Sequence, residues 1–305
     1  MIQLKKLLTL ALILFFTSST LAGCLPGTGG GQLPENRVII GGKNFTEQDV
    51  LVHIMATLIE ENSDIVAERR GYLGGTNVVH EAIRTGSIDM YAEYTGTGWT
   101  VVLGEEAIGD PDQVYDGVQE GYENQFNIRW LTPLGFENTY GLTMRPDQAA
   151  QLGVTRISDL QEHAPNLVFG CTHEFLERPD GYGRMNEYYG LNFRSVTGMD
   201  PGLTYAAVRD GAVDVIDGFT TDGRIPAFNL VVLEDDRAFF PPYYAVPIVR
   251  QETLDRLPQL EEILTRLGGR LTNEEMARLN AMVDLERMRA ETVARMWLEE
   301  EGLIP

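Results

Sequence analysis

The chain has 305 residues, and its 45 Asp and Glu residues outnumber its 24 Lys and Arg residues, which gives a formal net charge of −21. A surface this acidic argues against nucleic acid or an anionic membrane surface as the partner, because both carry negative charge. The length suffices for two lobes of ordinary domain size.

The N-terminal segment predicts export. A basic start, Met1 to Lys6, precedes the apolar run Leu7 to Phe16, which is too short for a stop-transfer helix. Leu21-Ala22-Gly23-Cys24 has the form of a bacterial lipoprotein signal, so we expect a signal peptide over residues 1–23 and a lipid on Cys24. Residues 24–36, rich in Gly and Pro, are expected to be a flexible tether. An uncleaved signal anchor is the alternative.

Strand-like and helix-like segments alternate after the tether. The strand candidate Val38–Ile40 is followed by Thr46–Asp49, a Thr-x-x-Asp capping-box pattern that predicts a helix start. The later strand candidates are Ile65–Ala67, Ile88–Tyr91, Ile128–Leu131, Tyr140–Met144, Leu167–Cys171, Val213–Ile216, Leu230–Leu233 and Tyr244–Val249. This alternation implies largely parallel sheets covered by helices. From Gln251 the pattern is helical, and the residues spaced like one helix face are Leu279, Met282, Leu285 and Met288.

The chain contains an internal repeat with an offset of 125 residues. Ala82–Met90 resembles Ala207–Val215, each with a helix end, a turn glycine and a strand start, and the register brings Tyr94 onto Phe219. Ligands of open α/β sheets bind beyond the carboxyl ends of strands. Two lobes of similar topology would therefore place Tyr94 and Phe219 on opposite walls of one cleft. The repeat predicts a clamshell binding protein.

The sequence lacks the usual signatures of catalysis. Its four histidines are in no metal-ligand spacing, and it has neither a Gly-x-Ser-x-Gly elbow nor a phosphate-binding loop. We expect a binder that is not an enzyme and that needs no metal or cofactor. Cys171 follows an apolar run and is expected to be a buried thiol without a disulfide partner.

Six motifs, in order between Val38 and Arg250, resemble those of the glycine betaine/carnitine/choline-binding proteins of osmoprotectant ABC importers. They are Gly42–Gln48, Ile88–Thr97, Asn138–Leu142, Arg178–Gly181, Val215–Arg224 and Phe240–Tyr243. Each motif alone is weakly specific, but six in order are strong evidence. The resemblance implies an α/β, two-lobed periplasmic-binding-protein type II fold, with mostly parallel mixed sheets flanked by helices and two crossover strands. We expect lobe I over residues 37–135 and 243–305, and lobe II over residues 136–242.

The resemblance also implies an aromatic cage around a trimethylammonium group. The matching positions are Tyr94, Tyr140, Phe219 and Tyr243. A quaternary ammonium has no N–H donor, so ring faces are its natural partners. Phe219 is a departure, because many relatives have Tyr there; a phenyl face still attracts a cation.

The carboxylate of a betaine needs cations or hydrogen-bond donors. By resemblance these are Arg178, Lys43 and Thr97, with Asn138 near the ammonium end. An Arg fork suits a carboxylate, and Lys43 is the only lysine after the predicted signal peptide. We expect Asp222 and Arg224 to form a structural ion pair at the rim.

These expectations describe an extracytoplasmic, lipid-anchored, monomeric component of an ABC importer that closes around its ligand and docks on a permease. Glycine betaine is the first candidate ligand. Choline, carnitine or an amino acid are the alternatives in the same fold, and an enzyme or an interaction protein with no small-molecule ligand are the rival classes.

Overall fold

The structure, a computed structural model, describes residues 36–305, which fold around two five-stranded sheets. The predicted signal peptide, Cys24 and residues 25–35 of the predicted tether lie outside the described residues. Among residues 36–305, no helix combines the length and apolar character that crossing a membrane requires.

The two sheets have the same strand order. The strands are β1 (Arg37–Gly41), β2 (Val66–Arg70), β3 (Met90–Tyr94), β4 (Ile128–Trp130), β5 (Tyr140–Met144), β6 (Val168–Thr172), β7 (Ser195–Met199), β8 (Val215–Phe219), β9 (Val231–Val232) and β10 (Ala245–Arg250). The first sheet runs β2-β1-β3-β10-β4 and the second runs β7-β6-β8-β5-β9. In each, the fourth strand is antiparallel to its neighbours. We call the part built on the first sheet lobe I and the part built on the second sheet lobe II.

Helices cover both sheets. They are α1 (Thr46–Asn62), α2 (Thr76–Arg84), α3 (Thr95–Thr97), α4 (Pro111–Phe126), α5 (Pro146–Leu152), α6 (His173–Glu177), α7 (Tyr182–Tyr189), α8 (Leu203–Arg209), α9 (Arg224–Ala227), α10 (Gln251–Arg256), α11 (Gln259–Thr265), α12 (Asn273–Asp284) and α13 (Ala290–Glu300). A π-helical turn, Gly98–Val102, continues α3, and 3₁₀ turns occupy Ile157–Glu162 and Ala164–Asn166. The C-terminal helices α11 to α13 pack on α1, so the end of the chain belongs to lobe I.

The internal repeat is confirmed in the backbone and in side-chain contacts. Gly86 and Gly211 take φ values of +75° and +76° in the turns after α2 and α8, a conformation that glycine adopts without steric cost. Asp89 and Asp214, also 125 residues apart, each accept a hydrogen bond at 2.7 Å from a backbone N–H of the neighbouring strand, β1 or β6. β3 and β8 therefore end at equivalent places in the two lobes.

Some local predictions are wrong. Helix α1 begins at Thr46, its N-cap is Phe45, and no side chain caps it. The Thr46 hydroxyl donates instead to Asp284, so the pattern at Thr46–Asp49 is not a capping box. The predicted helix face at the C-terminus is interrupted, because α12 ends at Asp284 and Leu285 is 37% exposed.

Strand β7 was not among the predicted strands. Ser195, Val196 and Thr197 are all exposed, because β7 is the edge of the second sheet. Its five residues include only two apolar side chains, Val196 and Met199, and they provide no continuous apolar face. By contrast, Cys171 is fully buried in β6, as predicted, and has no disulfide partner among residues 36–305; burial raises the pKa of its thiol.

Candidate ligand-binding site

A cavity of about 490 Å³ lies between the two sheets, at the ends of their central strands. Tyr94 and Phe219 are the last residues of β3 and β8. Tyr140 is the first residue of β5, and Tyr243 lies just before β10. β5 and β10 are antiparallel to their neighbours, so they start at the edge where β8 and β3 end. The strand order thus brings these four rings to one cavity.

Five rings form the aromatic side of the cavity. The centroid of Tyr140 is 5.2 Å from that of Phe219 and 5.9 Å from that of Tyr243. Phe45, which sequence reasoning did not select, is 5.3 Å from Phe219 and 6.3 Å from Tyr94. Phe45 also lines the cavity. Its signal was present in the sequence, because it lies inside the motif Gly42–Gln48.

Two tyrosine hydroxyls on this side are held by buried carboxyl groups. Tyr94 donates to Glu47 Oε1 at 2.6 Å, and Tyr243 donates to Asp180 Oδ2 at 2.6 Å. Burial, together with the adjacent carboxylate, raises the pKa of both tyrosines well above its ordinary value, so both rings are neutral. These bonds fix the ring planes. The described structure gives Phe219 no corresponding bond, and its position depends on packing and on its backbone N–H, which donates to Tyr205.

Lys43 and Arg178 form what we call the charged side of the cavity. Lys43 is buried, with 3% of its surface exposed. Its Nζ donates to Glu93 Oε1 at 2.5 Å and to Thr76 Oγ1 at 3.0 Å, and it lies 5.3 Å from the Tyr94 ring centroid. The lysine predicted to meet a ligand carboxylate is therefore already paired with a carboxylate of its own lobe.

Arg178 is paired as well. Its Nε and Nη2 donate to the two oxygens of Asp180, both at 2.7 Å, and Nη2 also donates to Thr97 Oγ1 at 3.2 Å. Nη1 donates to Glu174 at 3.3 Å, the longest of these contacts. Burial favours the neutral acid of Asp180, but the guanidinium outweighs it and holds the pKa of that carboxyl below its ordinary value. The guanidinium carbon also lies 5.2 Å from the Tyr140 ring centroid.

Polar contacts join the two lobes around the cavity. Thr76 of lobe I donates to Glu174 of lobe II at 2.5 Å, and Thr100 of lobe I donates to Asp180 of lobe II at 2.7 Å. Thr221, just past β8, donates to Glu47 of α1 at 2.5 Å. The structure is therefore a closed arrangement of the lobes.

The last two groups singled out from the sequence lie beside the rings. Asn138 lines the cavity, and its Nδ2 donates to Glu47 Oε1 at 2.8 Å. Asp222 and Arg224 pair with each other, as predicted, and Arg224 also meets Asp284 at 3.2 Å. They line a smaller neighbouring cavity of about 150 Å³, outside the main one. Within residues 36–305 no cluster of His, Cys, Asp and Glu has the arrangement of a metal site.

Residues 36–300 match the family described as the substrate-binding domain of ABC-type glycine betaine transport systems. The chain belongs to this family. It is 36% identical over 302 residues to the carnitine transport binding protein OpuCC of Listeria monocytogenes, an alignment that covers 98% of this chain and 97% of the relative. It is 37% identical over 276 residues to a glycine-betaine-binding protein of Pseudomonas aeruginosa, covering 87% and 88%.

A solved structure of a glycine betaine/carnitine/choline ABC transporter protein matches this substrate-binding domain with a TM-score of 0.73 at 32% identity, covering 87% of this chain and 99% of that one. The expected two-lobed periplasmic-binding-protein type II fold is thereby confirmed. Substrate-binding proteins of this family are extracytoplasmic components of ABC transporters, which take up small molecules through a permease.

Sequence reasoning on this substrate-binding protein missed the acidic partners in its site. Glu47, Glu93 and Asp180 lie inside or beside the quoted motifs but were given no role. Glu47 is fully buried and receives hydrogen bonds from Tyr94, Asn138, Thr221 and Asn280. Desolvation raises the pKa of Glu47, and the four hydrogen bonds oppose that rise. Hydrophobic periodicity could not reveal that the Glu47 carboxyl is buried in an interior network. Glu47 lies in the first turn of α1, where a carboxylate is expected to be exposed.

Proposed function

We propose that the chain captures a quaternary-ammonium solute outside the cytoplasm, anchored as a monomer through a lipid on Cys24, and delivers it to the permease of an ABC importer. The observation that carries the proposal is the group of five rings at one cavity between the lobes, in which Tyr140 contacts both Phe219 and Tyr243. The names of the relatives, a carnitine- and a glycine-betaine-binding protein, support the same ligand class.

The ring side suits a trimethylammonium group for a physical reason. Each ring face contributes about 0.5–2 kcal/mol to a cation held out of water, so three or four faces supply several kcal/mol. A micromolar dissociation constant requires about 8 kcal/mol, which leaves a share for contacts at the other end of the ligand.

The other end of a betaine would meet the charged side. There we propose that a ligand carboxylate contacts Arg178 and Thr97, taking the place of Glu174 at Nη1, while Lys43 contributes its positive field from within its ion pair. Glycine betaine is the smallest ligand with both groups. Carnitine has the same two groups and a longer chain, choline has the ammonium alone, and an amino acid would lack the methyl groups that the rings suit.

Calorimetry of the purified protein against glycine betaine, proline betaine, carnitine, choline and proline tests this proposal. Tyr140→Ala should weaken binding of the preferred ligand at least about tenfold, because one ring face is lost and the neighbouring rings lose their support. Tyr140→Phe is the matched control and should bind within about threefold of the wild type. Unchanged affinity in Tyr140→Ala would exclude the cage.

A further inference from the structure

One face of helix α12 in lobe I contacts the turn that follows β8 in lobe II. The turn consists of residues 221–224, and the residues of the helix face are spaced three and four apart: Ala277, Asn280, Ala281 and Asp284. None of these residues lines the ligand cavity. The contact therefore joins the two lobes outside the ligand site.

The closest approach between the two segments is at Gly223. A Cβ added to Gly223 would lie 2.6 Å from the Cβ of Ala281 and 2.8 Å from the backbone oxygen of Ala277. Neither atom belongs to the end of a flexible side chain that could move aside. Gly223 has φ −63° and ψ −15°, a helical conformation that alanine also adopts without strain. The turn itself does not require glycine here, but the nearness of α12 does.

Polar contacts flank this close approach. Asn280 Nδ2 donates to the backbone oxygen of Thr221 at 2.9 Å. Arg224 Nη2 lies 3.2 Å from Asp284 Oδ2, and Asp284 also accepts a hydrogen bond at 2.7 Å from Thr46 of α1. Both side chains of the ion pair are 16% exposed, so water screens it less than a pair on the open surface. Asp284 thus holds lobe II while it is itself anchored in lobe I.

The contacting face of α12 runs away from the connections between the lobes. At the first residue of α12, Asn273 Oδ1 accepts from the backbone N–H of Glu137 at 2.9 Å, and Glu137 pairs with Tyr244, where the chain returns to lobe I. Asp284, the last residue of α12, lies about 16 Å further along the helix axis. Rotation of the lobes about these connections would therefore separate lobe II from α12 most at Asp284.

We propose that the contact between α12 and residues 221–224 is a closure latch, which stabilises the closed arrangement of the lobes with and without a bound solute. Only a closed molecule brings both lobes to the solute, so the apparent affinity follows the fraction of molecules that are closed. Because no residue of the latch lines the ligand cavity, the latch changes the affinity for every solute by the same factor. It is additional to the proposed function, which supplies only the solutes for its test.

Gly223→Ala tests the latch, because its new methyl group should hold lobe II away from α12. Calorimetry should show that glycine betaine and carnitine each bind at least about tenfold more weakly, with the ratio of the two affinities unchanged within about twofold. Small-angle X-ray scattering without solute should give a larger radius of gyration than for the wild type. The matched control is Gly183→Ala in α7 of lobe II, where an added Cβ would meet no other part of residues 36–305 within 4 Å; it should behave like the wild type.

Asn280→Ala is a second variant that adds no bulk. Alanine keeps α12 helical, while the hydrogen bond to Thr221 is lost, so both affinities should fall about three- to fivefold by the same factor. Affinities within about twofold of the wild type in both variants would overturn the latch and leave the proposed function intact. A changed ratio between the two solutes would place the effect in the cavity and would also overturn the latch.

Failure of the proposed function is recognised separately, because the wild type would then bind neither solute. Scattering alone would decide the latch in that case. Equal radii of gyration for the wild type and Gly223→Ala would overturn it, and a larger radius for the variant would support it.

Discussion

The two sides of the ligand cavity treat buried charge differently. On the charged side each cation has its own carboxylate: Lys43 is paired with Glu93, and Arg178 with Asp180. On the aromatic side, Glu47 and Asp217 are fully buried with only neutral donors around them. Lys43 and Arg178 thus each have a carboxylate partner, whereas the described hydrogen bonds of Glu47 and Asp217 include no cationic donor.

The largest expected effect removes an anion from the charged side. Asp180→Ala leaves the Arg178 guanidinium buried without its main partner and removes acceptors for Thr100 and Tyr243. The free energy of unfolding should fall by about 3–5 kcal/mol, as measured by chemical denaturation. Asp210→Ala, which breaks the exposed pair of Asp210 with Arg209, is the control and should cause no measurable change. A small loss in Asp180→Ala would mean that the charged side is not internally balanced.

The second effect tests the aromatic side through pH. Asp217 lies in β8, two residues before Phe219, and burial raises the pKa of Asp217 from 3.8 to about 7. The folded state then holds the proton more tightly than the unfolded state. The stabilisation is complete below about pH 4 and is lost as the pH rises to about 7, on the order of 2–4 kcal/mol.

Asp217→Asn should remove that part of the pH dependence. Denaturation of both proteins at about pH 4 and pH 8 measures it, and the variant should gain stability relative to the wild type at the higher pH. An identical pH profile would show that Asp217 has a cation partner that the structure lacks.

The smallest of the three effects compares ligands across the two sides. Arg178→Ala should weaken glycine betaine about 10- to 100-fold more than choline, because only glycine betaine has a carboxylate for the charged side. The comparison of two ligands in one variant cancels the damage that the unpaired Asp180 does to both. Equal losses would confine Arg178 to a structural role, in which it only supports Tyr140 and Asp180.

Most strand positions were predictable because β-branched runs and turn glycines mark where strands lie along the chain. Tyr140–Met144 was predicted with its observed bounds, and the repeat around Gly86 and Gly211 anticipated two equivalent lobes. β7 has no such signal, because an exposed edge strand needs no apolar alternation. The Thr46 capping box failed because Asp284, distant in sequence, accepts the hydroxyl.

The residues that line the candidate site could be selected from the sequence motifs. All eight residues selected from the motifs line the cavity. The ion pairs of these residues were not predictable. Glu93 pairs with Lys43, and Asp180 with Arg178, through contacts that exist only in the folded chain. A motif can predict that Lys43 or Arg178 lies in the site. It does not predict whether a carboxylate of the protein is already paired with that side chain. The roles of these residues in binding remain predictions.

Lys43 is the only lysine beyond residue 6, and it is buried behind Glu93 and Thr76. All other basic residues within residues 36–305 are arginine or histidine, so amine-selective acylating reagents have no other lysine to modify there. Thr76 accepts a hydrogen bond from this amine and donates one to Glu174 of the other lobe. Separation of the lobes would break the bond between Thr76 and Glu174, and we expect it to leave the amine less shielded. Within residues 36–305 Lys43 is therefore the single lysine target, and we expect its acylation rate to rise with the fraction of molecules whose lobes are apart.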